Sequence, residues 1–150
     1  MIGPAVSEVL DALDDLTRAF AQRDAGLLLD RCADDVTYVG SEDGEQASGR
    51  AEVAGLLARV LDRPERYSFE WALPLVGVEK DLAWLHAQGT GTVHADGPLA
   101  DGGRLDGGRV DGTAEAFAYR LSGVLRRADG GRGWRWVLIH GAEPTPAPLG

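Results

Sequence analysis

The sequence predicts an α+β domain, in which helices occupy the first part of the chain and long antiparallel strands the second part. Up to about residue 61, apolar side chains mostly recur every three or four positions, as on one face of a helix. From Tyr67 onward they alternate with polar residues, which is the period of a strand. Helices that precede a run of strands, rather than alternating with them, favour a curved antiparallel sheet wrapped around the helices.

Three helices are predicted in the N-terminal half. The first begins near Pro4, since proline suits a first helical turn. One face of this helix carries Val6, Val9, Leu10, Leu13, Leu16 and Phe20. Asp24 can cap a second, short helix that contains Cys32. The third helix covers about residues 50–61 and ends before Pro64, because proline cannot continue a helix.

Strands are predicted for most of the remaining chain. Their ranges are residues 36–39, a short strand within 40–49, and residues 67–79, 82–93, 113–127 and 133–141. Pro74 has no N–H to donate, so it is expected at a bulge or a sheet edge. Tight turns are predicted at residues 80–81 and 129–131. Asp34 and Asp35 are expected to cap and turn the chain between the second helix and the first strand.

Length and composition limit the class of protein. The 150 residues fit one domain, predicted over residues 1–144, with a proline-rich tail at 145–150. A single cysteine excludes an internal disulfide. We expect a cytoplasmic protein, because no apolar run approaches the roughly 20 residues of a membrane span and the N-terminus lacks a signal pattern. A net charge of −9 without clustered Lys and Arg disfavours nucleic acid and anionic membranes as partners.

Residues 96–112 contain two copies of an Asp-Gly-Gly-Arg pattern, at 101–104 and 106–109. Three interpretations remain open for this segment: a flexible hairpin loop, a lid over a pocket mouth, and a calcium-binding repeat. Calcium-binding repeats of this type need many copies, and two are too few.

Four local patterns, in their order and spacing, resemble the NTF2-like superfamily and its SnoaL-like branch over about residues 5–144. They are Ala33-Asp34-Asp35-Val36, Ser48-Gly49-Arg50, Leu82-Ala83-Trp84, and Trp134-Arg135-Trp136 followed by His140 and Pro144. Ala142 stands where the family often has a serine. The resemblance implies a cone-shaped, cystatin-like fold with a cavity between the sheet and the helices. It also implies a homodimer formed through the outer face of the sheet.

The resemblance includes steroid isomerases, but two positions depart from them. Aligned on Ala33-Asp34-Asp35, their oxyanion-stabilising tyrosine falls on Leu16 and their general-base aspartate on Gly40. Leucine cannot donate a hydrogen bond and glycine cannot accept a proton, so steroid-isomerase chemistry is expected to be absent or to use other groups. Epoxide hydrolases of this fold position a water with an Asp-Arg-Asp arrangement. The resemblance makes Arg120 and Glu115 candidates for part of this arrangement.

Candidate site residues follow from strand position and from the family pattern. The candidate catalytic acid-base residues are His140 and His86. At period two, Trp136, Leu138 and His140 are expected to share one strand face. The candidate ligand-binding residues are Tyr38, Trp71, Tyr119, Arg120 and Trp136. The three histidines and scattered acids show no metal-ligand spacing, so neither a metal nor a cofactor is expected.

The leading hypothesis is a homodimeric domain that binds a small hydrophobic or aromatic ligand in an apolar cavity. One alternative is a cyclase or isomerase acting on polyketide-like substrates, with His140 or His86 as acid-base. The other is a structural dimerisation module whose interior is filled by side chains. Fold alone does not choose among these.

Overall fold

A computed structural model of the protein describes residues 3–95, 114–128 and 133–145. These described residues form three helices: α1 (Pro4–Gln22), α2 (Ala25–Leu29) and α3 (Arg50–Leu61). They also form six strands in the predicted order: β1 (Cys32–Val39), β2 (Gln46–Ser48), β3 (Glu65–Glu79), β4 (Leu82–Ala95), β5 (Glu115–Arg127) and β6 (Trp134–Ala142). The predicted α+β class is confirmed. The predicted segment 96–112, the turn at 129–131 and the tail beyond Thr145 lie outside the described residues.

The six strands form one curved, unclosed sheet in the order β2-β1-β6-β5-β4-β3. Neighbouring strands are antiparallel, apart from β1 and β6, which run parallel. This parallel pair departs from the purely antiparallel sheet that the sequence predicts. It arises because α3 and the long β3–β4–β5 meander intervene before the chain returns beside β1. The sheet curves so that its inner face packs against the helices.

The inner core depends mainly on α1, which begins at Pro4 as predicted. Its buried residues are Val9, Ala12, Leu13, Leu16, Ala19 and Phe20, which recur at helical spacing. Removing one leucine of this stripe from water contributes roughly 1.5–3 kcal/mol. Arg23 ends the helix in a left-handed conformation, with φ of 56°. The core therefore holds α1 across the concave side of the sheet.

Strand β3 is an edge strand, and Pro74 lies within it. The register against β4 shifts between Ala72 and Leu75, which marks the irregularity predicted around this proline. Leu73, inside the shift, has a positive φ of 40°. A proline is tolerated here because the free side of an edge strand needs no N–H donor.

The segment after α2 differs from the sequence prediction. Helix α2 ends at Leu29, and Cys32 is the first residue of β1 rather than part of the helix. Asp34 and Asp35 also lie in β1 and do not form the predicted turn. Both side chains point to solvent, where Asp35 meets Arg126 at 2.7 Å. The apolar run around Leu29 and Cys32 suits either a helix or a buried strand, so periodicity alone could not separate the two.

A β-bulge in β6 overturns the predicted face of His140. Leu125 of β5 is aligned with Trp136, but the preceding residue, Val124, is aligned with Leu138. Val137 is therefore an extra residue, and it reverses the alternation of side chains along β6. Trp136 points into the core, with 0% of its surface exposed, whereas His140 points outward. The expectation that these residues share one face is wrong.

None of the helices in the described part of the chain combines the length and the apolar character that a bilayer span requires. The cytoplasmic location stays a prediction.

Candidate functional site

A cavity of about 310 Å³ lies between the inner face of the sheet and the helices. Its apolar wall includes Leu16 and Phe20 of α1, Val60 of α3 and Ile139 of β6. Its polar wall comes from the residues that follow β1, α3 and β6 and from the start of β5. The cavity is thus apolar on the helix side and polar at one end.

Aromatic rings form most of the sheet side of the cavity. Phe69 on β3 and Phe117 and Tyr119 on β5 occupy inward-facing positions. The ring centroids of Phe69 and Tyr119 lie 5.1 Å apart, and those of Phe117 and Tyr119 lie 5.8 Å apart. Gly91 of β4 is aligned between Phe69 and Phe117, and a Cβ at this position would overlap the Phe117 ring. The glycine therefore lets aromatic rings from two strands meet over β4.

Two tyrosine hydroxyls belong to the cavity lining. The pKa of Tyr119 is raised to about 12, mainly by burial: a hydrogen bond with Ser41 lowers it, and the nearby Glu45, Glu143 and Glu42 add to the rise. Burial also raises the pKa of Tyr38 far above its usual range, with Tyr119 and Glu45 adding to the effect. Both phenols are therefore neutral near pH 7 and can donate a hydrogen bond as well as accept one.

Charged residues collect at the polar end of the cavity. Arg63 contacts Glu45 at 3.3 Å and Glu42 at 3.5 Å. Burial lowers the pKa of the Arg63 guanidinium, but a hydrogen bond with Tyr67 and the two carboxylates outweigh this and raise it. The Glu45 side chain is 13% exposed, so its carboxylate lies inside the cavity mouth rather than in bulk solvent.

The β1–β2 connection positions Glu45. The backbone N–H of Gly40 donates to the carbonyl of Glu45 at 2.7 Å, and the N–H of Glu42 donates to Glu45 Oε1 at 3.3 Å. A Cβ placed on Gly40 would overlap the Glu45 carboxylate. The carboxylate therefore occupies the space that any side chain at position 40 would need.

The sequence pattern of the SnoaL-like domain matches residues 9–146. The chain belongs to the SnoaL-like domain family. The resemblance to this family and to the NTF2-like superfamily is thereby confirmed. No protein of curated function matches the sequence significantly.

Solved structures share the fold of this SnoaL-like domain along nearly its whole length. A proposed dehydratase of the NTF2-like family from Streptomyces avermitilis has 20% identity and a TM-score of 0.78, with 95% of this chain and 98% of that chain covered. A ketosteroid isomerase-like protein from Erwinia carotovora atroseptica has 17% identity and a TM-score of 0.71, with 97% and 100% covered. An NTF2-like protein with a cystatin-like fold from Novosphingobium aromaticivorans has 19% identity and a TM-score of 0.66, with 93% and 81% covered. At these identities the similarity shows the fold alone.

The SnoaL-like domain brings only two of the predicted ligand-binding residues, Tyr38 and Tyr119, into the cavity lining. Trp71 lies just behind it, stacked on Phe69 with a centroid distance of 5.4 Å, and its indole N–H donates to the Thr17 hydroxyl at 2.9 Å. Trp136 is buried in the core outside the cavity lining. Its indole nitrogen has no hydrogen-bond partner among the described residues.

Arg120 lies on the outer face of the sheet, away from the cavity that Glu115 lines. The two residues are five apart on β5, and an odd separation along a regular strand places side chains on opposite faces. The partial epoxide-hydrolase arrangement of these two residues is therefore not formed.

Both candidate histidines also lie on the outer face. His86 Nδ1 and Ser122 Oγ are 2.8 Å apart, and Ser122 is aligned with His140 on the neighbouring strand. Neither histidine lines the cavity. The two residues are close together in the fold, as cross-strand neighbours of one serine, but on the face opposite the cavity.

Sequence patterns did not indicate Glu45, Arg63 and Tyr67, which define the polar end of the cavity. Glu45 belongs to a turn-rich loop, Arg63 follows a helix, and Tyr67 begins an edge strand, so no shared period links them. Among residues 3–95, 114–128 and 133–145, no three His, Cys, Asp or Glu side chains are grouped closely enough to hold one metal ion.

Proposed function

We propose that this SnoaL-like domain binds a small, largely apolar or aromatic molecule in the cavity. The observation that carries the proposal is a cavity of about 310 Å³ with aromatic walls on which two neutral phenols converge. Ligand sites in proteins combine a mainly apolar, concave wall with a few polar groups, and their volumes begin at about 300 Å³. A cavity of this size also argues against an interior filled entirely by side chains.

Two adjacent residues of β4 offer a matched test. Val93 lines the cavity, whereas Thr92 points to the outer face, and both are half-buried. We expect 2-naphthylmethanol to bind wild-type protein in isothermal titration calorimetry. Val93→Phe fills cavity space and should weaken binding at least about tenfold, since about 1.4 kcal/mol corresponds to a factor of ten. Thr92→Phe should bind as the wild type does. Equal affinity in all three proteins refutes the proposal, and so does a failure of 2-naphthylmethanol and of its charged analogues alike to bind.

An enzymatic function is the second candidate, favoured by the position of Glu45. A partly buried carboxylate beside two neutral phenols can accept a proton while a phenol stabilises developing negative charge. The dehydratase and isomerase-like names of the similar structures agree with proton-transfer chemistry of this kind. His86 and His140 lie on the opposite face of the sheet and do not reach the cavity. Glu45→Gln should therefore abolish any turnover that His140→Gln leaves intact.

We propose that the domain forms a homodimer through the outer face of the sheet. Leu75, Leu82 and Trp84 are large apolar residues on this face, exposed by 67%, 47% and 47%. The Trp84 indole lies over Gly77, where a Cβ would overlap it. Grouped exposed apolar side chains of this size are typical of a protein–protein contact.

Sedimentation velocity tests the homodimer. The wild type should sediment as a dimer. Trp84→Glu should sediment as a monomer, because the dimer interface would bury an unpaired charge. Ala58→Glu, which introduces the same charged residue at an exposed position of α3, away from the outer face of the sheet, is the control. A monomeric wild type contradicts the proposal.

A further inference from the structure

The charge around the cavity is strongly one-sided. Among the residues that the structure describes, four carboxylates line it, from Glu42, Glu45, Glu115 and Glu143, against one guanidinium, that of Arg63. Arg63 contacts both Glu42 and Glu45. No ion pair to Glu115 or Glu143 is found among the described residues. The described part of the lining therefore has an excess of three negative charges, and two of its carboxylates remain available to a ligand.

The cavity walls also favour positive charge. The faces of aromatic rings carry negative electrostatic potential and attract ammonium groups. Phe69, Phe117 and Tyr119 place three such rings within 6.4 Å of one another, centroid to centroid. An anionic ligand would approach these faces and the carboxylates together, and both interactions are repulsive.

Tyr38 provides an independent sign that a polar ligand group is accommodated. Its side chain lines the cavity although only 7% of the residue surface is exposed. Among the described residues, no hydrogen bond to its hydroxyl is found. The hydroxyl is not one of the sealed, unpartnered atoms of the described core, which are the indole nitrogens of Trp134 and Trp136, so a ligand in the cavity can reach it and form a hydrogen bond. The oxygen of a neutral phenol can accept a bond from an N–H donor.

We propose that the cavity selects an organic cation, in which an ammonium group is attached to an aromatic or apolar body. The body contacts Phe69, Phe117 and Leu16, and the ammonium group faces the carboxylates at the polar end. Charge-assisted hydrogen bonds to carboxylates are roughly twice as strong as neutral ones, and those to the exposed Glu115 and Glu143 are open to screening by salt. The inference rests on the proposed function, because it names the class of ligand for the same cavity.

Three probes with one aromatic body test the inference by calorimetry at pH 7. They are naphthalen-2-ylmethanamine, which is cationic, 2-naphthylmethanol, which is neutral, and 2-naphthoate, which is anionic. We expect the amine to bind at least about tenfold tighter than the alcohol, and the naphthoate to bind most weakly. The preference for the amine should fall when the NaCl concentration is raised roughly tenfold, from about 0.05 to about 0.5 M, because salt screens the carboxylates.

Variants identify the source of the preference. The double variant Glu115→Gln/Glu143→Gln should reduce the amine-to-alcohol affinity ratio severalfold while the alcohol binds as before. Glu79→Gln, an exposed change at the far end of β3, is the matched control and should leave the ratio unchanged. Equal binding of amine and alcohol, or tighter binding of naphthoate, overturns the cation inference and leaves the proposed function standing. Failure of all three probes to bind overturns both.

Discussion

Burial of Cys32 predicts a specific loss of stability in alkaline solution. The thiol lies at the start of β1, aligned with Trp136 of β6, and is 1% exposed. Burial raises its pKa from 9.0 to about 11, although the nearby Arg50 and Arg135 lower it. Desolvation prevails because the hydration that a thiolate would lose here outweighs its attraction to these two guanidinium groups.

The sign of the effect follows from the two pKa values. Below pH 9, the thiol is protonated in both the folded and the unfolded chain, and its contribution to stability is fully present. Between pH 9 and 11, the unfolded chain releases this proton while the folded chain retains it. The free energy of unfolding then falls by about 1.4 kcal/mol per pH unit, or about 2–3 kcal/mol in total.

Urea unfolding of the wild type and Cys32→Ala, measured from pH 8 to 11, isolates this contribution. The alanine variant should be less stable at pH 8, since it leaves a small cavity, but it lacks the titrating thiol. The free energy of unfolding of the wild type should therefore fall by about 2–3 kcal/mol relative to that of the alanine variant across the range. Tyrosine ionisation affects both proteins equally and cancels in the difference. A gap that stays constant with pH would refute the assigned burial of the thiol.

Three further predictions concern packing, capping and ionisation. Gly123→Ala should destabilise the fold by about 1–3 kcal/mol in urea unfolding, because the new methyl overlaps the buried Trp136 ring, whereas Gly55→Ala on open helix surface should not destabilise it. Asp24→Ala should cost about 0.5–2 kcal/mol, because its carboxylate accepts from the Gly26 N–H at the start of α2; an unchanged melting temperature would contradict this. In ultraviolet titration, Tyr119→Phe should remove a component with a midpoint near pH 12, and loss of a component near pH 10 instead would disprove burial of this phenol.

Helices α1 and α3 and the long strands were predictable because each depends on a repeating pattern of burial. Helix α3 covers Arg50–Leu61, as predicted, and the strand pattern around Pro74 correctly indicated an irregular edge. Short apolar segments were harder, since the residues near Cys32 fit a helix and a strand equally well. The energy that decides between them comes from pairing with β6, a contact distant in sequence.

The face of His140 could not be predicted for a different reason. Period two assigns faces correctly only while the strand stays regular, and the extra residue Val137 reverses every assignment after it. No residue of special chemistry marks this bulge, because Val137 lies in an ordinary apolar run. A bulge becomes visible only through its partner strand, where Val124 and Leu125 show the change in register.

The polar end of the cavity shows how comparison by position alone can miss a functional group. Gly40 removes a carboxylate from the position where the resemblance to steroid isomerases expects one. In the fold, however, the β1–β2 connection returns Glu45 to the volume next to Gly40, and the absence of a Cβ at Gly40 leaves room for its carboxylate. The chemistry of a site depends on which atoms occupy it, and the same volume can be occupied by a side chain from either of two sequence positions. Gly40 and Glu45 are therefore best treated as one site, in which a side chain at position 40 would displace the carboxylate that now faces the cavity.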